Sequence, residues 1–221
     1  LRAVGSVTSQ ARRQLPGEEY YSVPGHHVFF GYYDITPFNP KETRILANKL
    51  PPINRTPKPD DSLSVGYFNL HEGSKFVEVG RTETWCWQQG CRLQWFPSGE
   101  GKELAIYNKF LDGAYGSVVQ DMSDGRIFRQ YADPIYALGR DAKTALTLDF
   151  SRLQRLRPGY GYVNLTDATA AEEAPDSSGI WKINMENGEK TLLFSIREIS
   201  SMQGRQDMAG AHHYFNHICF N

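Results

Sequence analysis

The chain has 221 residues, and its 24 Lys and Arg residues nearly balance its 25 Asp and Glu residues, giving a formal net charge of −1. This balance argues against a nucleic-acid partner, because nucleic-acid-binding domains usually carry a basic excess. With 40% apolar and 22% charged residues the chain can build a core, and no run of about 20 uncharged apolar residues predicts a membrane span.

The cysteines and the chain ends bear on compartment and completeness. Cys86, Cys91 and Cys219 are too few, and odd in number, for a disulfide framework, which favours the cytoplasm. Because the chain starts at Leu1 and stops inside an apolar segment, we expect a fragment with a leader segment over residues 1–25. Since the amino terminus looks truncated, the periplasm is the alternative location.

Strand-like segments follow one another along the chain in pairs that are separated by turn residues. The first kind of pair joins two apolar strands through a polar turn, and it occurs at Tyr32–Phe38 with Arg44–Leu50, Cys91–Phe96 with Glu103–Asn108, and Ile135–Leu138 with Thr144–Phe150. The second kind is a hairpin with a glycine in its turn, and it occurs at Ser64–Leu70 with Lys75–Val79, Gly116–Met122 with Arg126–Tyr131, and Gly179–Met185 with Lys190–Phe194.

These pairs alternate, so the chain divides into repeated units at about 26–80, 84–131, 135–196 and 211–221. Two hairpins per unit predict a four-stranded antiparallel sheet, and repeated sheets of this size are typical of β-propeller blades. We therefore predict an all-β fold: a β-propeller fragment of about three four-stranded blades plus the first strand of a fourth. A β-sandwich with long loops is the alternative. Helical patterns are limited to Val7–Leu15 and Glu198–Met208.

Two long segments interrupt the repeats. Pro51–Asp61 carries four prolines and predicts an extended surface connection. Ser151–Ser178 is basic and aromatic in its first half, which we interpret as functional, and small and acidic from Asp167 onward, which we expect to be mobile.

Residues just before the first strand of each blade converge at one mouth of a propeller's central channel. This geometry pools aromatic rings with fixed amide and guanidinium donors, a pattern that suits the apolar faces and hydroxyl edges of sugars, including acidic ones. The predicted saccharide-binding residues are His27, Tyr33, Asp34, Trp87, Gln88, Gln89, Arg92, Arg152 and Tyr160. The alternatives are that the tryptophans pack between neighbouring blades and that Arg152, Arg155 and Arg157 belong to a solvated basic loop.

A histidine cluster near the carboxyl end gives a candidate metal site. On a strand, His213 and His217 would point to the same face, and Gln203 lies upstream as an amide ligand. Imidazole and amide ligands suit a divalent metal such as Mn, Zn or Fe. The alternative is that these histidines hydrogen-bond the ends of inner strands. No residue is identified as catalytic.

Four segments together resemble a known family: His27–Pro40, Thr84–Pro97, Asp149–Tyr162 and His212–Asn221. They look like the bacterial Tol-type or oligogalacturonide-lyase-like propellers, which are often encoded beside glycan biosynthesis genes. The resemblance implies a divalent metal on His213 and His217 with Gln203 or Gln206. It also implies β-elimination of uronate chains, with Arg92 or Arg152 assisting the metal and His27 as one candidate for the base.

Two functions follow as hypotheses. The first is a glycan-binding or interaction β-propeller whose ligand site lies at the mouth of the central channel. The alternative is a metal-assisted, carbohydrate-active enzyme that cleaves uronate-containing glycans by β-elimination.

Overall fold

Three antiparallel sheets, each made of four consecutive strands, form the fold in the computed structural model, which describes residues 19–73, 75–99, 101–202 and 204–220. Strand order within every sheet follows chain order, so each sheet is a simple meander. The all-β prediction is confirmed.

The strands have the following bounds. Sheet 1 contains β1 (His27–Phe29), β2 (Arg44–Leu50), β3 (Leu63–Asn69) and β4 (Phe76–Thr82). Sheet 2 contains β5 (Gln94–Phe96), β6 (Leu104–Leu111), β7 (Ala114–Asp121) and β8 (Ile127–Tyr131). Sheet 3 contains β9 (Ala137–Leu138), β10 (Thr144–Thr147), β11 (Gly179–Asn184) and β12 (Lys190–Ser195).

Helical turns are few. Helix α1 (Phe150–Leu156) follows β10, helix α2 (Ile196–Met202) follows β12, and a 3-10 turn spans Gln206–Met208. The predicted helix at Glu198–Met208 therefore corresponds to two short elements. Among the described ranges, no helix has the length and apolar character needed to cross a bilayer.

Sheet 2 lies between the other two, and its inner strands β6 and β7 are largely buried on both faces. On β6, Ala105 and Tyr107 join a core cluster with side chains of sheet 1, whereas Leu104 and Ile106 join a cluster with side chains of sheet 3. This alternation is the period-two pattern of a strand. The three sheets therefore stack face to face in chain order.

The connections between the second and third strands of each sheet differ greatly in length. We call residues 51–62 the first connection, Asp112 and Gly113 the second connection, and residues 148–178, which include α1, the third connection. The three predicted glycine-turn hairpins are present as β3–β4, β7–β8 and β11–β12.

The first strand of sheet 1 differs from its prediction. Tyr32–Phe38 is not a strand; pairing with β2 comes from His27–Phe29, and Phe38 makes only an isolated bridge to Ile45. The chain leaves the sheet after Phe30, whose carbonyl accepts a hydrogen bond from Asn48 Nδ2. Residues 31–37 are thereby displaced from the sheet, which frees the side chains of this segment to enter a site.

The predicted first strand of a fourth sheet is also wrong for the described residues 211–220, which form neither strand nor helix. Its backbone groups bond to loops and side chains instead: His213 N donates to Glu173 O, and His217 N donates to Tyr136 Oη. Residues 1–18, which include the predicted helix Val7–Leu15, and Asn221 lie outside the described residues. The described residues do not close into a ring, so the propeller stays a prediction.

Candidate functional site

Aromatic rings from three distant segments meet beside the stacked sheets. Tyr32 lies 4.4 Å from Tyr33, is stacked on His217 at 5.1 Å, and meets Tyr160 edge-on at 6.4 Å between ring centroids. Tyr160 also meets His217 edge-on at 6.1 Å. We call these four residues the aromatic cluster.

The aromatic cluster combines hydrogen-bonding groups with an open ring. His217 Nε2 lies 3.0 Å from Tyr32 Oη, and the Tyr33 side chain is 84% exposed. Partial burial raises the pKa of Tyr32 above its usual value. The charge interaction and the hydrogen bond with Tyr33 raise this pKa further. The Tyr32 hydroxyl therefore keeps its proton at neutral pH, and Tyr33 presents its ring to solvent.

A polar layer supports the aromatic cluster from inside. Arg92 is 1% exposed; its Nη2 donates to Asp34 Oδ2 at 3.0 Å, and its Nη1 contacts Asp34 Oδ1 and Gln89 Oε1 at 3.3 Å each. Arg92 Nε donates to Tyr136 O at 2.7 Å, and the guanidinium lies 4.2 Å from the centre of the Tyr136 ring. Asp34 neutralises this buried charge, as a buried guanidinium requires. Arg92 therefore holds Asp34 in place.

Asn216 ties the carboxyl-terminal segment to the same layer. Its Oδ1 accepts hydrogen bonds from Tyr136 Oη at 3.1 Å, from Gln89 Nε2 at 3.4 Å and from His217 N at 2.9 Å. Three donors on one oxygen fix the orientation of the amide. Asn216 Nδ2 is buried and has no hydrogen-bond partner among the described residues, a state that costs about 1–3 kcal/mol.

The backbone is strained at two residues of this site. Among described non-glycine residues with positive φ, four lie in turns between strands: Glu42, His71, Asp112 and Ala142. The other two are Arg92, with φ of 56°, and His217, with φ of 57°. Such conformations cost roughly 1–3 kcal/mol each and cluster at functional sites. The fold thus holds both residues in conformations that they would not adopt freely.

His27, Trp87 and Gln88 belong to a neighbouring region. Trp87 Nε1 donates to Arg55 O at 2.9 Å, and its ring meets His27 edge-on at 5.7 Å. Gln88 exposes its side chain, and its backbone N–H donates to Gly159 O at 3.4 Å. The Trp87 indole N–H is thus occupied by the first connection, and its ring packs beside His27 and Trp85, as in the alternative that the sequence left open.

Arg152 lies inside the protein, away from solvent. It is 1% exposed and donates to the carbonyl oxygens of Thr169, Glu172, Glu173 and His213 at 2.7 to 3.0 Å. Together with a bond from Nη1 to Thr169 Oγ1, these bonds use all five N–H donors, so the structure does not support Arg152 as a ligand-binding residue. The segment from Asp167, expected to be mobile, is held through its carbonyls by this guanidinium.

The other arginines of the basic segment have separate partners. Asp149 caps α1 by accepting from Arg152 N, so the segment begins with a helix where the sequence indicated a loop. Arg155 Nε donates to Asp167 Oδ2 at 2.8 Å. Arg157 lies over the Tyr160 ring at 4.2 Å and is exposed. Arg157 is therefore the arginine of this segment that borders the aromatic cluster.

Two of the three predicted metal ligands, His213 and His217, lie within the described part of the chain. His213 and His217 are not on a strand, so strand alternation does not bring them to one face, and His217 Nε2 is engaged with Tyr32. Within the described ranges, no group of three or more His, Cys, Asp or Glu residues could hold a metal ion. Gln203 lies outside the described residues. The metal stays a prediction.

Sequence reasoning missed the residues that link the sheets behind the site. Buried Asn108 donates through Nδ2 to Ile135 O and accepts at Oδ1 from Ile135 N. Buried Asn48 contacts Cys91 Sγ through Oδ1 at 3.3 Å. Each asparagine fixes the chain just before the next sheet begins. A signal was present, since Asn-Lys followed by an apolar residue occurs in the second strand of both units.

Tyr136 and Asn216 were missed as well. Tyr136 directly precedes β9, a position comparable to that of Arg92 before β5, and this spacing could have identified it. Nothing in the sequence distinguishes Asn216.

Comparisons with known proteins give no family assignment. No protein-family model matches the sequence, and comparison with curated proteins and with solved structures gives no significant match. The resemblance to oligogalacturonide-lyase-like propellers therefore stays a prediction that rests on the four segments named above.

Proposed function

We propose that the chain binds a saccharide at the aromatic cluster. The observation that carries this proposal is the 84% exposed Tyr33 ring, whose centroid lies 4.4 Å from that of Tyr32 and whose next residue, Asp34, pairs with the buried Arg92. A sugar ring stacks its apolar face on an aromatic ring, and its hydroxyl groups need donors and acceptors at the edge of that ring. The Asp34 carboxylate, which is 20% exposed, and the His217 imidazole supply such groups.

Rigid support favours binding at this position. Ligand sites require side chains whose orientation is set before the ligand arrives, because ordering them on binding weakens affinity. Asp34 is fixed by Arg92, and Tyr32 is fixed by His217 and Tyr160. Only Tyr33 is largely free, so binding orders few groups.

We also propose that the three sheets are consecutive blades of a β-propeller and that the site lies at one mouth of its channel. The support is that residues just before sheets 2 and 3 lie together with the segment that follows β1 in sheet 1. Arg92, just before β5, contacts both Asp34 of that segment and Tyr136, just before β9. Radially arranged sheets produce this convergence from residues far apart in sequence.

Isothermal titration calorimetry with a panel of neutral and uronic-acid oligosaccharides tests the saccharide proposal. We expect the wild-type protein to bind at least one member. We expect Tyr33→Ala to weaken that affinity about 5- to 10-fold, about 1–1.4 kcal/mol, because the stacking face is lost.

Phe128→Ala is the matched control, because Phe128 is an exposed ring on β8, outside the aromatic cluster, and its affinity should equal that of the wild type. A chelator should leave binding unchanged; loss of binding on chelation would instead support the metal-assisted enzyme. No binding to any panel member, or equal losses in Tyr33→Ala and Phe128→Ala, would refute a saccharide site at the aromatic cluster.

A further inference from the structure

The carboxyl-terminal segment 211–220 presents a structural problem. It brings Asn216 and His217 into the site, yet it has no strand or helix of its own among the described residues. A segment without regular hydrogen bonding depends on side chains elsewhere for its position. The residues that hold it therefore control where Asn216 and His217 lie.

Arg152 makes the contact that fixes the start of this segment. Its Nε donates to His213 O at 2.7 Å, and the backbone N–H of His213 donates to Glu173 O at 2.8 Å. Both peptide groups of His213 are thus engaged by the third connection. His217 lies only four residues further along the chain, so a shift at His213 reaches the site directly.

The same guanidinium also orders the loop to which His213 is bonded. Arg152 Nη2 donates to Glu172 O and Glu173 O at 2.9 Å each, and Nη1 donates to Thr169 O and Oγ1 at 3.0 Å each. One planar group with five N–H donors serves four carbonyls from two segments. A lysine ammonium carries three donors from one point and cannot serve all of them.

Helix α1 gives Arg152 a fixed base. Phe150 and Leu153 of the same helix are buried in a core cluster against which Tyr214 and Phe215 pack. Tyr214 and Phe215 thus pack against the core cluster that includes the apolar side of α1, while Arg152 contacts His213 itself. Polar and apolar contacts from one short helix therefore define the course of residues 213–215.

A buried carboxylate, that of Asp167, balances the buried charge of Arg152. The Asp167 carboxylate is fully buried, lies 3.5 Å from Arg152 Nη1 and accepts from Arg155 Nε at 2.8 Å. A buried guanidinium without such a partner would be strongly unfavourable. Arg155 is 32% exposed and takes no part in holding His213 O.

We propose that Arg152 is a positioning residue of the aromatic cluster: through His213 it places Asn216 and His217 against Tyr136 and Tyr32 without touching the ligand. The effect on ligand affinity rests on the proposed saccharide function. The effect on the position of His217 does not, and the test separates the two.

The first measurement is the nuclear magnetic resonance signal of the His217 imidazole, assigned by comparison with His217→Ala. In the wild type, stacking on Tyr32 should shift this signal away from that of a solvated histidine. We expect Arg152→Lys to move it most of the way back to the solvated value. An unchanged His217 signal in a folded Arg152→Lys protein would overturn the proposal.

The second measurement is a double-mutant cycle with the oligosaccharide that binds best in calorimetry. We expect Arg152→Lys to weaken affinity about tenfold in the wild-type background and less than about twofold in the His217→Ala background. Equal factors in both backgrounds would overturn the positioning role, because general destabilisation does not depend on His217. If the wild type binds no saccharide, the saccharide proposal fails while the imidazole signal still decides the positioning role.

Two further variants keep the test decisive if Arg152→Lys does not fold. Thr169→Val removes one acceptor of Arg152 and should move the His217 signal in the same direction by a smaller amount. Arg197→Lys alters an exposed arginine that pairs with Asp176 of the same connection, and it should move nothing. A folded Thr169→Val protein with the wild-type signal would count against the proposal.

Discussion

The first and third connections occupy the same place in their sheets, between the second and third strands, yet different kinds of side chain hold them in position. In the first connection, the indole N–H groups of Trp85 and Trp87 donate to Asp61 O and Arg55 O at 2.8 and 2.9 Å. In the third connection, the charged Arg152 donates to four carbonyls from within the protein. In both cases side-chain donors bind loop carbonyls, so backbone groups without a strand partner are satisfied.

The two kinds of contact differ in the free energy needed to bury the donor group. A neutral indole can be buried with a single hydrogen bond, and each such bond contributes about 1 kcal/mol. A buried guanidinium satisfies more carbonyls but requires a buried counter-charge, which Asp167 supplies. Loss of one indole bond should therefore loosen one loop, whereas loss of Arg152 should disturb several segments together.

The largest expected effect is that of Arg152→Met on stability. We expect a loss of about 3–5 kcal/mol in the free energy of unfolding, because four carbonyls lose their donor and the buried Asp167 loses one of its two arginine partners. Urea denaturation followed by tryptophan fluorescence measures this loss. A change below about 1 kcal/mol would show that water replaces the guanidinium at little cost.

The next effect concerns acid sensitivity. Burial alone would raise the pKa of Asp167, but hydrogen bonds from Arg155 and Thr169 and the charge of Arg152 bring it below its usual value. A lowered pKa means that Asp167 contributes stability above about pH 4 and loses this contribution as pH falls through its folded pKa. In Asp167→Asn, the decline of stability from about pH 5 downward should therefore be shallower than in the wild type.

The control for this comparison is Asp176→Asn, an exposed carboxylate of the same connection paired with Arg197. Its acid titration of stability should follow that of the wild type. Parallel curves for wild type and Asp167→Asn would mean that Asp167 is not the acid-sensitive group of the third connection.

A smaller effect is expected for Trp87→Phe, which keeps an aromatic ring beside His27 but removes the hydrogen bond to Arg55 O. We expect a loss of about 1 kcal/mol in the free energy of unfolding. Hydrogen exchange should show faster opening confined to the first connection. Faster exchange in the third connection as well would contradict the independence of the two fastenings.

Arg55→Ala should give the smallest change. Arg55 hydrogen-bonds Asp61 and holds the pKa of that carboxyl at about 2, but Arg55 is 42% exposed, so solvent screens the pair and its net contribution to stability is small. A loss comparable to that of Trp87→Phe would show that the ion pair fastens the first connection as strongly as the indole does.

The strands were predictable because their signals are local. Alternating apolar residues and glycine turns at 73, 125 and 188 identified every outer hairpin. The first strand of sheet 1 was misplaced because Tyr32–Phe38 has strand-like composition, and its departure from the sheet depends on Asn48, a partner distant in sequence. Helix α1 was missed because its short apolar face is recognisable only against the core that it covers.

The candidate site was also predictable in part. Tyr33, Asp34, Gln89, Arg92 and His217 were pooled on the assumption that residues before first strands converge, and Tyr160 was predicted from the basic and aromatic segment. The structure brings these six into one contact network. Arg152 could not be separated from ligand-binding arginines by sequence, because its burial depends on carbonyls 17 to 61 residues away. Trp87 was ambiguous as well, because its indole N–H donates to Arg55 O, 32 residues away in the sequence.

The two-residue turn between β6 and β7 affects the order in which parts of the molecule unfold. These strands make eight paired positions and are covered on both faces, whereas β12 is exposed along most of its length. Local pairing across a short turn forms early and at low entropic cost. The amide protons of β6 and β7 should therefore exchange with solvent only through global unfolding, while those of β12 exchange through local fraying, so the protein loses its order from sheet 3 inward.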